Sequence, residues 1–187
     1  MVVSFSPAFF RQPVVDIAQA LVGATLTLDG VGGIIVETEA YDRDDPASHS
    51  FRGPTARNRA MFGAPGHAYV YLIYGVHWCL NVVCGEPGYG AAVLLRALAP
   101  DLGVAQMQAR RAQTGLAGLA NGPGRLCQAL GVTRSHDGLD LQVAPFALRP
   151  PTAGHEIVVG PRIGITKAVE RPWRFGLAGS PYLSRRF

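Results

Sequence analysis

A chain of 187 residues that is 48% hydrophobic and 16% charged can bury a substantial core and has the size of one domain, residues 1–187. No run approaches the roughly 18 uninterrupted apolar residues of a membrane span. The three cysteines (Cys79, Cys84, Cys127) are an odd number without C-x-x-C or zinc spacing, which argues against a disulfide framework or a metal site.

The net charge is +4, and Lys167 is the only lysine among the 17 basic residues. Arginine's planar fork suits phosphate recognition, although a GC-rich coding bias would give the same skew. Basicity of this size permits a nucleic-acid partner without requiring one. The opening M-V-V-S-F-S-P lacks the basic region and long apolar run of a secretory signal, so a cytoplasmic, nucleoid-associated protein is expected.

In chain order, Pro7, Pro13 and the apolar set Val14, Val15, Ile17, Ala18, Leu21 and Val22 predict a helix over 7–22, stopped by Gly23. Residues 24–28 alternate as a strand, and Asp29-Gly30 turns them into a second strand, Val31–Tyr41. Period two puts Glu37, Glu39 and Tyr41 on one face and Ile34, Val36, Thr38 and Ala40 on the other. Residues 42–67 form a long connection with Phe51, Met61 and Phe62 as apolar anchors and Arg52, Arg57 and Arg59 as solvent- or phosphate-facing charges. Residues 68–73 and 78–83 read as strands around a turn at 74–77. Tyr69, Tyr71 and Ile73 share a face opposite Val70, Leu72 and Tyr74, and the tip tyrosine, Tyr74, is either packed or a deliberate protrusion.

Residues 85–90 are a glycine-rich turn, and 91–98 an apolar strand interrupted by Arg96, which needs a partner or a cavity. Asp101 is positioned to cap a helix running to about residue 113, 115–121 is a small-residue link, and 122–130 is a second helix. Residues 139–143 and 157–159 read as strands, 161–166 as irregular, and the remainder as a basic, aromatic tail. The sum is one α+β domain with a mainly antiparallel sheet and flanking helices.

Glu39 is the best candidate base, since burial beside aromatic rings would raise its pKa; an ordinary edge-strand glutamate is the alternative. Glu37 shares its face and is less clearly distinguished. No nucleophile elbow, Walker loop, dinucleotide fingerprint or metal motif is present, and Lys167 has no distinguishing context for amine chemistry. By elimination the chemistry would be water activated by a carboxylate, with no cofactor and no metal.

The runs I-V-E-T-E-A-Y, A-S-H-S, R-N-R-A-M-F, Y-V-Y-L-I-Y-G, the asparagine at 81, V-L-L-R-A, N-G-P-G-R-L-C-Q-A-L and P-R-I-G-I, in this order from about Val14 to Tyr182, resemble the alkyladenine (3-methyladenine) DNA glycosylase family. The resemblance implies a curved antiparallel sheet and an enzyme that flips alkylated or deaminated purines out of duplex DNA. Hydrolysis of the N-glycosidic bond would leave an abasic site, without lyase chemistry. It further implies Glu39 as general base, Arg96 as its partner in holding water, and Tyr41, His49 and Tyr71 as stacking walls. Tyr74 would be the residue that wedges into the duplex through a DNA-inserting hairpin, and Asn81 would disfavour guanine. Arg52, Arg57 and Arg59 are phosphate candidates by charge alone. The implied partner is double-stranded DNA containing damaged purines, bound by a monomer, with no membrane. A nucleic-acid binding module without catalysis and a small-molecule nucleoside hydrolase are the alternatives: the first has no need of Glu39, the second none of Tyr74.

Overall fold

A computed structural model describes residues 4–187. Eight strands form one antiparallel sheet: β1 (Thr25–Leu28), β2 (Val31–Tyr41), β3 (Ala68–Ile73), β4 (His77–Cys84), β5 (Ala91–Leu102), β6 (Phe146–Arg149), β7 (Ile157–Gly160) and β8 (Arg174–Leu177). Their spatial order is β3-β4-β5-β2-β1-β6, with β8 pairing both β2 and β7. The helices are α1 (Val14–Ala20), α2 (Val104–Arg111) and α3 (Pro123–Leu130). This is the α+β class expected from the sequence. Of the stretch M-V-V-S-F-S-P, the first three residues lie outside the described ones, and among the described residues no helix is long and apolar enough to cross a membrane.

The long strands β2 and β5 are the spine. Asp29 and Gly30, with φ of 50° and 76°, make the left-handed turn that joins β1 to β2 with Leu28 opposite Val31. Beyond it, Gly32 and Gly33 let three strands crowd together. A Cβ at Gly32 would lie 1.9 Å from the Leu26 carbonyl oxygen of β1, and one at Gly33 2.0 Å from that of Ala99 on β5. β2 then bulges once against β5, with Val36 as the extra residue between Ile35 and Glu37, and β5 bulges back with Arg96 as the extra residue opposite the Glu37–Thr38 step. A bulge shifts the alternation by one residue and bends the strand. The apolar face therefore carries Ile35, Thr38 and Ala40, and the expected inward Ile34 is 36% exposed. Period two holds only beyond the bulge, from Glu37 to Tyr41.

The expected helix over 7–22 is broken in two. A 3₁₀ turn at Phe9–Arg11 and α1 are separated by Gln12 in extended conformation (φ −67°, ψ 168°), because Pro13 disfavours the helical region for the residue before it. α1 buries Val14, Ile17 and Ala18 against the sheet, and the buried Thr38 hydroxyl donates to Ala18 O at 2.7 Å. Asp101 does not cap α2: β5 continues through Leu102, and Gly103, at φ 65°, supplies the sharp entry. α3 follows the expected pattern, with proline at its first position and Gly131 left-handed after its end. Arg110 of α2 closes it by donating to Ala129 O (3.0 Å) and Leu130 O (2.8 Å).

The segment 139–143 is not a strand. Asp140 makes one isolated bridge to His67, and its carboxylate accepts the Gln142 N–H at 2.8 Å, an Asx turn that ends the pairing. The strand lies further on, at β6. The stretch read as a basic tail contains β8, which pairs Glu37, Thr38 and Glu39 of β2 with Gly176, Phe175 and Arg174.

Replacing Gly33 by alanine forces backbone apart at the β2–β5 contact. An expected loss of about 2–3 kcal/mol is checked by the shift in urea midpoint, with Gly154→Ala, whose added methyl meets nothing within 4 Å, as the comparison.

Candidate active site

A cavity of about 220 Å³ opens beside the hairpin β3–β4. Tyr41, His49, Tyr69, Tyr71, Cys79, Asn81 and Arg96 line it, with Met61 of the long connection, Pro123 of α3 and Ile163–Ile165 of the irregular segment. A second groove, of about 530 Å³, lies near the hairpin tip between His77, Trp78 and α3. It is larger, but the groups that hold the buried Glu39 carboxylate, Tyr41, Arg96 and Ile163, line the first and not the second.

Glu39 is fully buried directly beneath the cavity, and although it does not line the wall, all three groups that hold its carboxylate do. Tyr41 Oη donates to Oε2 at 2.8 Å, Arg96 Nη1 lies 3.3 Å from the same oxygen, and Ile163 N–H donates to Oε1 at 2.7 Å. Each carboxylate oxygen has two lone-pair sites. Oε2 takes the tyrosine's hydrogen bond and the guanidinium's charge, and Oε1, which accepts only the Ile163 N–H, keeps one free. Burial raises the Glu39 pKa above its ordinary value; Arg96, the Ile163 N–H and the Tyr41 hydroxyl pull it back, and the charge on Glu37 pushes it further up. Burial, followed by the charge on Glu39, also pushes the Tyr41 hydroxyl up, so it stays a donor.

Glu37, two residues earlier on the same face, is spent on structure. Oε1 takes Arg96 Nε (3.3 Å), Arg174 Nη1 (3.4 Å) and the Ser184 hydroxyl (2.8 Å), while Oε2 takes the Ser184 N–H. Arg96 thus answers both expectations for a charge within an apolar strand: it has carboxylate partners and it faces a cavity.

The aromatic walls come from two places. Tyr71 is opposite Cys79 and Tyr69 opposite Asn81 in the β3–β4 register. His49, from the long connection, meets Tyr71 edge-on with centroids 4.6 Å apart and pairs its Nδ1 with Tyr69 Oη at 3.0 Å. Burial, then the Arg57 charge, lowers its pKa, leaving a neutral ring at neutral pH. Asn58 fixes this loop: Nδ2 donates to His49 O (2.9 Å) and Gly53 O (3.1 Å), while Oδ1 accepts the Thr55 N–H and hydroxyl. The Asn81 amide lines the cavity and donates to Tyr69 O at 3.0 Å.

Tyr74 departs from the expected alternation. It is 86% exposed at the hairpin tip and yet lines the cavity with Tyr71 and Ile73, because its backbone is left-handed (φ 52°), as is that of Gly75 (φ 71°). Arg52, Arg57 and Arg59 are exposed and lie outside the cavity wall; Arg57 Nη2 donates to Leu72 O at 2.8 Å, beside the hairpin. Phe51, read as an anchor, is half exposed, whereas Met61 is buried. Sequence reasoning missed Tyr69, Ile163 and the pair Asp45–Arg162. Tyr69 was visible by alternation with Tyr71, and Ile163 and Arg162 lie in the P-R-I-G-I motif.

Fold and cavity define an α+β protein with an aromatic-walled cavity above a buried carboxylate. Residues 8–181 match the family described as Methylpurine-DNA glycosylase (MPG), and the chain belongs to that family. It is 57% identical over 178 residues to a protein of Nitrosospira multiformis, covering 95% of this chain and 92% of that one. It is 59% identical to one of Granulibacter bethesdensis (94% and 85% covered) and 56% to one of Rhizobium meliloti (96% and 95% covered). Each of the three carries the name "Putative 3-methyladenine DNA glycosylase".

The two glutamates separate by stability. Glu37→Gln leaves buried arginines short of a countercharge and is expected to cost about 3–5 kcal/mol, whereas Glu39→Gln removes a carboxylate that burial already disfavours. The folded state holds the Glu39 proton more tightly than the unfolded chain. Wild-type stability therefore falls as pH rises from the ordinary value of 4.5 through the raised one. Melting temperature against pH should show the Glu39→Gln curve gaining on wild type across that window.

Proposed function

We propose that this protein is a monofunctional DNA glycosylase acting on alkylated or deaminated purines in duplex DNA. The observation that carries the reading is one buried carboxylate, Glu39, with a free lone pair on Oε1 and its holding groups in the wall of an aromatic-lined cavity. In this reading the damaged purine leaves the base stack and lies in the cavity, with Tyr41 on one side and His49 and Tyr71 on the other. Stacking of this kind is worth about 1–3 kcal/mol per base, and a cationic purine gains further attraction to the rings.

Glu39 takes a proton from a water at its free lone pair as that water attacks the sugar carbon. The N-glycosidic bond breaks, the purine leaves with the bonding electrons, and an abasic site remains. A cationic alkylated purine departs neutral, so it needs less assistance than a neutral deaminated one. Arg96 stabilises the ionised carboxylate and offers a donor to the water. Asn81 holds its amide against the purine edge and disfavours a 2-amino group. Tyr74 fills the gap left in the stack, and inserting a side chain offsets the unstacking cost of flipping. Arg52, Arg57 and Arg59 meet phosphates. Lys167, the only lysine, is exposed and outside the cavity wall, which supports hydrolysis without a lyase step. The protein would work as a monomer in the nucleoid-containing cytoplasm, as one domain.

The test is base release from duplexes carrying a single hypoxanthine, ethenoadenine or 7-methylguanine. Glu39→Gln should lower release by about two to four orders of magnitude while retaining affinity for damaged duplex. The wild-type rate should fall on the acid side at a pH above the ordinary glutamate value, as protonation disables the base. Release by Glu39→Gln at the wild-type rate would sink the assignment, and tight binding without release by wild type would favour a binding module.

Tyr74→Ala should weaken affinity for a damaged duplex several-fold, and more than it weakens release from an unpaired lesion. Equal effects on both would remove Tyr74 as the wedge.

A further inference from the structure

A second arginine–carboxylate pair lies behind the cavity. Arg162 and Asp45 form an ion pair with both side chains shielded from solvent. Arg162 Nη2 donates to Asp45 Oδ1 at 3.1 Å, and Nη1 donates to Ala40 O at 2.9 Å. The guanidinium lies over the Tyr41 ring, 4.7 Å from its centroid, and over Trp173 at 5.3 Å. Tyr41 lines the cavity and Arg162 does not, so the guanidinium covers the ring face turned away from it.

Three stretches with no shared hydrogen-bonded ladder meet on this one group. β2 arrives through Ala40 and Tyr41, the 42–67 connection through Asp45, and the irregular 161–165 segment through Arg162 itself. The next residue, Ile163, gives its N–H to Glu39. Two of the three donors on the Glu39 carboxylate, the Tyr41 hydroxyl and the Ile163 N–H, therefore depend on where Arg162 sits. A planar guanidinium can bond a carboxylate in its plane while stacking on aromatic rings; a lysine at the same place would keep the charge and lose the geometry.

We propose that Asp45 and Arg162 are positioning residues that clamp Tyr41 and Ile163 onto the catalytic carboxylate. This rests on the reading of Glu39 as the base. Loosening the clamp withdraws two hydrogen bonds that favour the carboxylate anion, so Glu39 keeps its proton to higher pH. The other groups facing Glu39 are Glu37 on its own strand, Arg96 from β5, Arg174 from β8 and Cys79 from β4, and the substitutions below leave all of them in place.

The experiment is single-turnover base release against pH for wild type, Asp45→Asn and Arg162→Lys. Ile17→Val, a buried change in the α1 core, is the control for lowered stability alone. The acid limb of both clamp variants should move up by about one unit, so that release falls about tenfold on the acid side and recovers toward wild type at alkaline pH. Ile17→Val should leave the limb in place. Folded clamp variants whose limbs coincide with wild type would overturn the proposal. If Asp45→Asn does not fold, Arg162→Lys and Trp173→Leu, which keep the charge balance, decide by the same criterion. Glu39→Gln run alongside separates the two failures: wild-type release by that variant overturns the base assignment, whereas its inactivity with unmoved limbs overturns the clamp alone.

Discussion

The desolvation of charge is the constraint on which this structure turns. Glu37, Glu39 and Asp45 are buried, and so are Arg96, Arg162 and Arg174. An isolated ion in such surroundings costs several kcal/mol, and its partner returns that only with good geometry. The six groups must therefore assemble together, and they come from β2, the long connection, β5, the 161–165 segment and β8. Such a cluster contributes little net stability compared with apolar packing. What it imposes is a single arrangement, because any slip of one element strands a charge.

Within that balanced cluster the two glutamates of β2 meet opposite fates. Both face the same way and both touch Arg96. Glu37 is held by two guanidiniums and by Ser184, and none of the cavity wall is its own. Glu39 shares one guanidinium, leans on two neutral donors and feels the neighbouring anion, which raises its pKa further. The ionised Glu37 makes Glu39 the better base. An inert carboxylate beside a reactive one is a way of tuning the second without touching what it acts on.

Much of the site was legible because its pieces repeat with period two. Glu39 and Tyr41 on β2, and Tyr69 and Tyr71 on β3, are local signals that survive into the fold. What could not be read is carried by long-range pairing. The Ile163 N–H reaches Glu39 across 124 residues, and the Ser184 N–H reaches Glu37 across 147. A backbone donor has no side-chain signature, so P-R-I-G-I could be matched as a motif without its reason being visible. The same holds for β8, whose arginine and phenylalanine look like part of a surface tail until the buried Glu37 is there to receive Arg174. Local rules also failed where tertiary contacts overrode them: the β2 bulge moved Ile34 outward, and the β2–β5 pairing carried β5 past Asp101.

The hairpin tip follows a different logic. A bulky residue in the left-handed region costs about 1–2 kcal/mol, and glycine or asparagine would relieve it. Here a tyrosine is held at φ 52° with most of its surface in water, so neither backbone preference nor burial explains it. The strain does have one geometric consequence. On a regular continuation of β3, position 74 would face away from Tyr71 and Ile73; the left-handed turn swings it back over the cavity mouth that those residues line. The backbone thus sets the side chain at the rim before any partner arrives, and the cost of that placement is carried by the folded chain rather than by the contact it makes.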